Sequence, residues 1–151
     1  MKLSHVDNSG KAQMVDISAK PPMHREAVAV GKIILAAATV KLLKKNLLQK
    51  GDALAVARVA AIQGGKKTSE LIPLCHPLDI QHLDVQFSIV VDGVEIIARA
   101  VSEGKTGVEM EALTAVSIAA LTIYDMCKAV DKKMIIGAIA LLEKNKHDIQ
   151  G

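Results

Sequence analysis

The most regular hydrophobic pattern in the chain is an alternation near its middle. Between residues 83 and 91, apolar side chains alternate with polar ones, and Asp92-Gly93 follows. An alternation with a period of two indicates a half-buried strand, and Asp-Gly is typical of a two-residue type I′ hairpin turn. With Asp92 and Gly93 as the turn, Val91 pairs with Val94. The sequence therefore predicts an antiparallel hairpin with one apolar face toward the core.

The longest apolar segment, residues 108–129, contains neither Pro nor Gly, which predicts a buried helix of about 20 residues. At about 100° per residue, its few polar side chains fall within an arc of roughly 140°. They are Glu111, Thr114, Ser117, Thr122, Asp125 and Lys128. Polar groups on so apolar a helix cost free energy unless they find partners. We therefore expect them either to form an internal network or to line a pocket.

The remaining apolar runs predict two further strands and two further helices. Strands rich in β-branched or apolar residues cover residues 24–35 and 134–142. Residues 36–49 predict an amphipathic helix with a basic outer face, and residues 53–67 predict a helix rich in Ala and Val.

In chain order these elements run strand, two helices, two strands, helix, strand. This βαββαβ order predicts one α+β domain over residues 1–151, a ferredoxin-like sandwich of an antiparallel sheet with helices on one face. Residues 1–22 are expected to form an extended N-terminal arm, in which residues 14–17 can form a short strand; a flexible terminus is the alternative. The charged residues 143–151 are expected to form a mobile tail.

Composition narrows the function classes. Half of the residues are apolar, yet there is only one Tyr and one Phe, so the core must be aliphatic and rich in Ala. The mean hydropathy is positive, which favours an oligomer that buries apolar surface between subunits. The net charge is only +3 and aromatic side chains are almost absent. We therefore expect no nucleic-acid binding, which uses basic grooves and aromatic stacking platforms.

Neither membrane insertion nor secretion is expected. The longest uncharged run, residues 112–124, is too short to cross a bilayer, and the N-terminal residues contain no signal-peptide core. The two cysteines, Cys75 and Cys127, form no CxxC motif. We therefore expect a cytoplasmic protein without a membrane partner, acting on a small anionic substrate.

A rigid loop at residues 71–78 presents one Cys and one His. Pro73 and Pro77 prevent a regular helix between them and hold Cys75 and His76 in a constrained backbone. A structural and a functional role for these two side chains are equally open. We expect no metal, because a fourth ligand at familiar spacing is missing.

A glycine-bracketed turn, Gly104 to Gly107, precedes the long helix. A Walker P-loop would need a Gly where Arg99 stands, so that motif is excluded. The turn and the helix N-terminus after it can bind a phosphate group. Alternatively, Glu109 and Glu111 simply stabilise the helix dipole at this end.

Asp125 and Lys128 lie one turn apart on the long helix, so their side chains can meet. On so apolar a helix, we expect desolvation to shift both pKa values and to lower that of Lys128. A lysine with a lowered pKa beside a carboxylate is suited to acid–base catalysis. An ordinary ion pair within the helix is the alternative.

Four longer motifs carry a resemblance to a known family. They are LIPLCHPL at residues 71–78, GKTGVEMEALTAVSIAALTIYDMCKAV at residues 104–130, MVDIS at residues 14–18, and Lys50-Gly51-Asp52. These motifs closely resemble the cyclic pyranopterin monophosphate synthase family, the C proteins of molybdenum cofactor biosynthesis. The similarity covers nearly the whole chain in the same order.

The resemblance implies a ferredoxin-like fold and a homohexamer, a trimer of dimers with active sites between subunits. It implies conversion of 3′,8-cyclo-7,8-dihydroguanosine 5′-triphosphate to cyclic pyranopterin monophosphate, with release of pyrophosphate. The catalytic residues that it implies are Lys50, His76, Asp125 and Lys128. The substrate-binding residues that it implies are Leu74, Cys75, His76, Met110, Glu111 and Arg25.

We hypothesise that Lys66 or Lys67 helps Arg25 to hold the triphosphate. No cofactor is expected, and the presence of Mg²⁺ on the triphosphate is left open. A rival function is a noncatalytic, regulatory module that binds a purine nucleotide.

Overall fold

The computed structural model describes residues 6–7 and 9–149. The strands form one sheet in the order β2-β3-β1-β4, and every neighbouring pair is antiparallel. This is the predicted ferredoxin-like α+β sandwich, with three helices in the first crossover. The elements are β1 (Met23–Ile34), α1 (Ala37–Lys44), α2 (Ala53–Lys66), α3 (Thr68–Leu71), β2 (Ile80–Val90), β3 (Gly93–Gly104), α4 (Glu109–Cys127) and β4 (Ile135–His147).

The core lies between the sheet and α4 and is built largely from Ala, as the composition predicts. Ala29 of β1, Ala98 of β3 and Ala115 of α4 are all fully buried. A Cβ atom at Gly64 of α2 would lie 2.6 Å from Cγ1 of Ile118 on α4. Gly64 therefore lowers the helix propensity of α2 but permits its close packing on α4.

The central position of α4 explains its unusual composition. By length and hydropathy alone the helix could cross a membrane, yet half of that stretch is buried inside the fold. Two of its polar side chains bond to their own helix: Ser117 Oγ donates to the Leu113 carbonyl at 2.8 Å, and Thr122 Oγ1 to the Ile118 carbonyl at 2.7 Å. These two hydroxyls therefore need neither a network nor a pocket. The charged residues of α4, Glu109, Glu111 and Asp125, lie nearer its two ends.

The hairpin is present, but its register differs from the prediction by two residues. Val90 pairs with Gly93, so the turn consists of Val91 and Asp92. Gly93 belongs to β3 with φ +156°, and a Cβ atom there would lie 1.9 Å from the Ile33 carbonyl oxygen. The close approach of β1 thus requires Gly within the strand. A shift of two residues keeps the same side chains on the core face.

The first helix ends at Lys44, five residues before the predicted end. Asn46 adopts φ +52°, its N–H donates to the Leu43 carbonyl, and the N–H of Leu47 donates to the Leu42 carbonyl. These two bonds form a Schellman motif, which Asn tolerates better than most residues because its short side chain fits left-handed geometry.

The last strand is longer than predicted. Residues 143–147 were expected in a mobile tail, but they continue β4 and pair with β1, ending with His147 opposite His24. The two imidazole rings stack with centroids 5.2 Å apart. The prediction was therefore wrong for these five residues, and residues 150–151 lie outside the described part of the chain.

The described part of the N-terminal arm does not join the sheet. Residues 14–17 do not form the short strand, and an isolated bridge joins Val6 to Ala12. Residues 1–5 and 8 lie outside the described part of the chain.

Candidate active site

The N-terminal end of α4 borders a pocket of about 310 Å³, called the Glu111 pocket below. It is built by the arm, by the loop after α3, by the glycine-bracketed turn and by the first turn of α4. Its lining residues are Val15, Ile17, Lys20, Leu74, Cys75, His76, Leu78, Thr106, Gly107, Glu109, Met110 and Glu111. Leu74, Cys75 and His76 thus meet Met110 and Glu111, as the resemblance implies, although the two groups are remote in sequence.

His76 is oriented by the arm. Its Nε2 lies 2.8 Å from the carbonyl oxygen of Val15. Because a carbonyl oxygen only accepts, Nε2 carries the proton in this contact, and Nδ1 is the ring atom left for another partner. The arm therefore selects the tautomer of a pocket residue.

Glu111 is the buried ionisable group of the pocket. The residue is only 3% exposed, and its Oε2 has no hydrogen-bond partner among the described residues. Burial raises the pKa of its carboxyl to about 7, and the charge of Glu109 adds to this rise against the effect of a backbone hydrogen bond. A carboxyl with a pKa near 7 can both donate and accept a proton at neutral pH.

Cys75 stays a thiol in this setting. Burial raises its pKa, and the nearby Glu111 carboxylate adds to the rise. Since the thiolate is the nucleophilic form, Cys75 contributes an apolar wall rather than a nucleophile.

Arg25 braces the glycine-bracketed turn. Its Nε donates to the Gly104 carbonyl at 3.0 Å and its Nη2 to the Lys105 carbonyl at 3.4 Å. Arg25 also lines a second hollow of about 230 Å³ beside the Glu111 pocket. The other lining residues of this hollow are Glu26, Gly107, Val108, Glu109, Lys144, Asn145 and Lys146.

Glu109 separates the two hollows and lines both. Its carboxylate accepts a hydrogen bond from Lys144 Nζ at 2.9 Å. Burial would raise the pKa of Glu109, but this bond and a bond from its own backbone N–H hold the pKa below its usual value. Glu109 thus takes the dipole-stabilising place at the start of α4, one of the two alternatives left open for this turn.

The lysine–aspartate cluster (Lys50, Asp125 and Lys128) lies at the other end of α4. Lys50 Nζ donates to Asp125 Oδ2 at 2.7 Å and to the Asp125 carbonyl at 3.0 Å. Lys128 Nζ lies 2.6 Å from Asp125 Oδ1. The sequence did not predict the contact with Lys50, because Lys50 is 75 residues away.

The pKa values of this cluster contradict the expected desolvated lysine. All three side chains are about half exposed. Hydrogen bonds from Lys128 and then Lys50 lower the pKa of Asp125 to about 2, and the bond to Asp125 raises that of Lys128. The prediction of a lowered lysine pKa was therefore wrong for this chain, because the end of α4 emerges from the core.

The two groups of predicted residues do not meet on one chain. Glu111 and Asp125 are fourteen residues apart on one helix, which is about 21 Å at 1.5 Å per residue. Lys66 and Lys67 are exposed at the end of α2 and line neither hollow.

Lys20, Lys144 and Lys146 are cations of the two hollows that sequence reasoning missed. Lys20 has only its place before two prolines as a signal, and Lys144 lies in the segment predicted as a tail. Among the described residues, no three His, Cys, Asp or Glu side chains are grouped as a metal site.

The chain is similar to a known protein family along most of its length. A family model described as the MoaC family matches residues 14–147. This chain belongs to the MoaC family. The matched region contains both hollows and the lysine–aspartate cluster, and it includes the pocket-lining part of the arm and the strand residues 143–147.

Several similar proteins carry the name cyclic pyranopterin monophosphate synthase. One from Desulfitobacterium hafniense is 54% identical over 95% of this chain and 89% of its own length. One from Heliobacterium modesticaldum is 53% identical over 94% of this chain and 91% of its own length. A molybdenum cofactor biosynthesis bifunctional protein from Chlorobaculum tepidum is 51% identical over 95% of this chain, which spans about half (46%) of that longer protein. MoaC family membership thus rests on similarity along nearly the whole chain.

Proposed function

We propose that this protein is an enzyme of molybdenum cofactor biosynthesis, a cyclic pyranopterin monophosphate synthase. It converts 3′,8-cyclo-7,8-dihydroguanosine 5′-triphosphate to cyclic pyranopterin monophosphate and releases pyrophosphate. The observation that carries the proposal is the convergence of Leu74, Cys75 and His76 with Met110 and Glu111 in one pocket. Catalysis is expected in the cytoplasm.

The Glu111 pocket is suited to the pterin-forming half of the substrate. Rearranging a purine-derived ring needs proton transfers, and Glu111 has a pKa of about 7. His76 presents a fixed tautomer to the same space, while Leu74 and Cys75 supply apolar walls. In this arrangement Glu111 moves a proton and His76 binds or protonates the substrate.

The lysine–aspartate cluster is suited to closing the cyclic phosphate. Closure displaces pyrophosphate, so negative charge develops on phosphate oxygens and must be stabilised. Asp125, with its pKa lowered to about 2, is ionised at neutral pH and holds Lys50 and Lys128 on its two oxygens. The two ammonium groups then act as charge stabilisers and as acids, with Asp125 fixing their positions.

Arg25 remains the candidate for holding the triphosphate. It lines the second hollow together with Lys144 and Lys146, which gives that hollow three cations. Lys20 lines the Glu111 pocket and adds a fourth cation nearby. The hypothesis that Lys66 or Lys67 helps to hold the triphosphate rests only on their charge and their exposure. No resident cofactor is required for these roles, and Mg²⁺ would arrive with the triphosphate.

The separation along α4 favours an active site made by two copies of the chain. A catalytic group must come within about 3 Å of the atom that it serves. The two parts of the substrate on which these groups act belong to one nucleotide-sized molecule, and groups about 21 Å apart on one helix are too far apart to serve both. The lysine–aspartate cluster of one copy therefore faces the Glu111 pocket of another, in a homo-oligomer for which we propose a trimer of dimers.

The sheet offers exposed apolar surface for such an assembly. Ile97 on β3 is 43% exposed, and Ile139, Leu141 and Leu142 of the edge strand β4 are also exposed. The edge strand β4 has unpaired backbone groups along one side, which favour pairing with another chain.

The activity test supplies the cyclised triphosphate to the purified protein, with and without EDTA, and follows pyrophosphate and cyclic pyranopterin monophosphate by mass spectrometry. Product in both reactions is expected if Mg²⁺ is dispensable, and product only without EDTA assigns a metal to the phosphates. A folded protein that binds the substrate without turnover would support the rival nucleotide-binding module.

The shared-site test mixes two variants with defects at opposite ends of α4. Glu111→Ala and Lys128→Ala are co-expressed with different tags and purified as mixed oligomers. If each site takes one end from each copy, about a quarter of the sites regain both groups and turnover returns. The matched control co-expresses Asp125→Ala with Lys128→Ala, where no site regains a full cluster. Activity equally low in both mixtures would contradict a shared site.

A further inference from the structure

Asp131 is a buried carboxylate three residues beyond Lys128. It is 5% exposed and accepts three hydrogen bonds from other parts of the chain. Its Oδ2 receives the Ala36 N–H at 2.7 Å and the Thr39 hydroxyl at 3.0 Å, and its Oδ1 receives the Lys133 N–H at 3.1 Å. Burial would raise the pKa of Asp131, yet these hydrogen bonds hold the pKa below its usual value. The carboxylate is therefore ionised and saturated by protein donors.

This carboxylate caps a helix to which it does not belong. Ala36 is the N-cap residue of α1 and has no capping side chain, and the first turn of α1 contains no acidic residue. Asp131 accepts the N–H of the N-cap residue itself, the bond that an N3 side chain makes in a capping box, and its negative charge lies at the positive end of α1. Its own N–H donates to the Cys127 carbonyl at 3.0 Å. Asp131 thus fastens the end of α4 to the start of α1.

The lysine–aspartate cluster lies close in sequence to the ends of these two helices. Asp125 and Lys128 lie at the end of α4, while Lys50 reaches Asp125 from the segment that follows α1. α1 packs through Val40 and Leu43, which are buried in the core. Asp131 adds the hydrogen bonds that fix the start of α1, and Lys50 lies six residues beyond the end of this helix.

We propose that Asp131 is a positioning residue, which sets the placement of Lys50 against Asp125 by anchoring α1 to the end of α4. The inference rests on the proposed catalytic role of the cluster. Removing the carboxylate leaves the Ala36 N–H and the Thr39 hydroxyl without their partner and frees α1 to shift. A displacement of about 1 Å at a catalytic group can cost on the order of 10²-fold in rate.

The first experiment compares Asp131→Ala and Asp131→Asn with the unsubstituted protein in steady-state assays with the cyclised triphosphate. We expect kcat to fall by about 10- to 100-fold for Ala and less for Asn, with KM changed by less than about threefold, since the Glu111 pocket is untouched. The control Ile96→Ala removes a fully buried side chain of β3 far from the cluster. It lowers the melting temperature but leaves kcat normal well below that temperature.

A double-mutant test separates positioning from general stability. If Asp131 acts through Lys50, adding Asp131→Ala to Lys50→Met changes kcat no further, measured in single-turnover reactions. Independent, multiplicative losses would overturn the proposal. So would a normal kcat for Asp131→Ala at a temperature where the variant is folded and Lys50→Met is slow.

Two further outcomes are interpretable. If Asp131→Ala does not fold, Thr39→Val removes only one of the three hydrogen bonds, and kcat should fall by about two- to fivefold with KM retained. Unchanged kcat in that variant would overturn the proposal. Normal turnover by Lys50→Met would overturn the catalytic role of Lys50 itself, and the positioning role with it.

Discussion

The two ends of α4 shift the pKa of a carboxyl group in opposite directions. At the N-terminal end, Glu111 is buried beside another carboxylate, so its pKa rises to about 7. At the C-terminal end, Asp125 is exposed between two lysines, so its pKa falls to about 2. One helix therefore presents a carboxyl that exchanges protons at neutral pH and a carboxylate that never does. The comparison shows that burial and neighbours, rather than residue type, assign the chemical role.

The largest effect is expected at the exposed end. Lys128→Ala should lower kcat by about 10²- to 10⁴-fold, the usual loss for one acid–base group. The melting temperature should hardly change, because an ion pair between half-exposed side chains contributes little to stability. Steady-state kinetics and thermal unfolding are measured on the same sample. The control Lys44→Ala removes the same charge from α1. If its kcat were as low as that of Lys128→Ala, the loss of any positive charge, rather than of Lys128 itself, would slow the reaction.

The buried end should dominate the pH dependence of stability. Between the unfolded pKa of 4.5 and the folded pKa of about 7, the native protein binds more protons at Glu111 than the unfolded chain does. Stability therefore falls as pH rises through this window, by at most about 3 kcal/mol. Glu111→Gln should abolish that fall and also reduce turnover. Urea unfolding at pH 5 and pH 8 measures the difference.

Glu95→Gln provides the matched comparison, since Glu95 is exposed on β3. It should leave the pH dependence of the unfolding free energy as in the natural sequence. An equal loss of pH dependence in both variants would mean that burial of Glu111 does not set its titration.

The smallest effects are expected between the two ends. Ser117→Ala and Thr122→Ala remove hydroxyls that bond only to carbonyls of their own helix. Each should change the free energy of unfolding by no more than about 0.5 kcal/mol and leave kcat unaltered. A clear loss of turnover would show that the middle of α4 also takes part in the reaction.

The pattern of apolar and polar residues predicts most of this fold. The alternation of the strands and the long apolar helix can both be recognised within short stretches of sequence. The pattern misplaces the hairpin turn, since Gly93 is required within β3 by the approach of Ile33 on another strand. It misses the last part of β4 because Lys144 gains a partner, Glu109, 35 residues earlier.

In the candidate site, too, features that depend on neighbours in sequence could be predicted, and features that depend on the folded chain could not. The motif at residues 71–78 and the first turn of α4 were both predicted to bind substrate, and they line the same pocket; their role stays a prediction. The raised pKa of Lys128 could not be predicted, because hydropathy along a helix does not tell which of its ends leaves the core.

The bond between His76 and the Val15 carbonyl has a consequence for how substrate enters. Residues 14–17 belong to no strand, so this part of the arm lacks the ladder of hydrogen bonds that holds the sheet. Segments of this kind open locally at low free energy while the core stays intact. Local opening of the arm would expose the Glu111 pocket and break the hydrogen bond between His76 and Val15 at the same time. The arm thus joins access to the pocket with the tautomer of the histidine inside it.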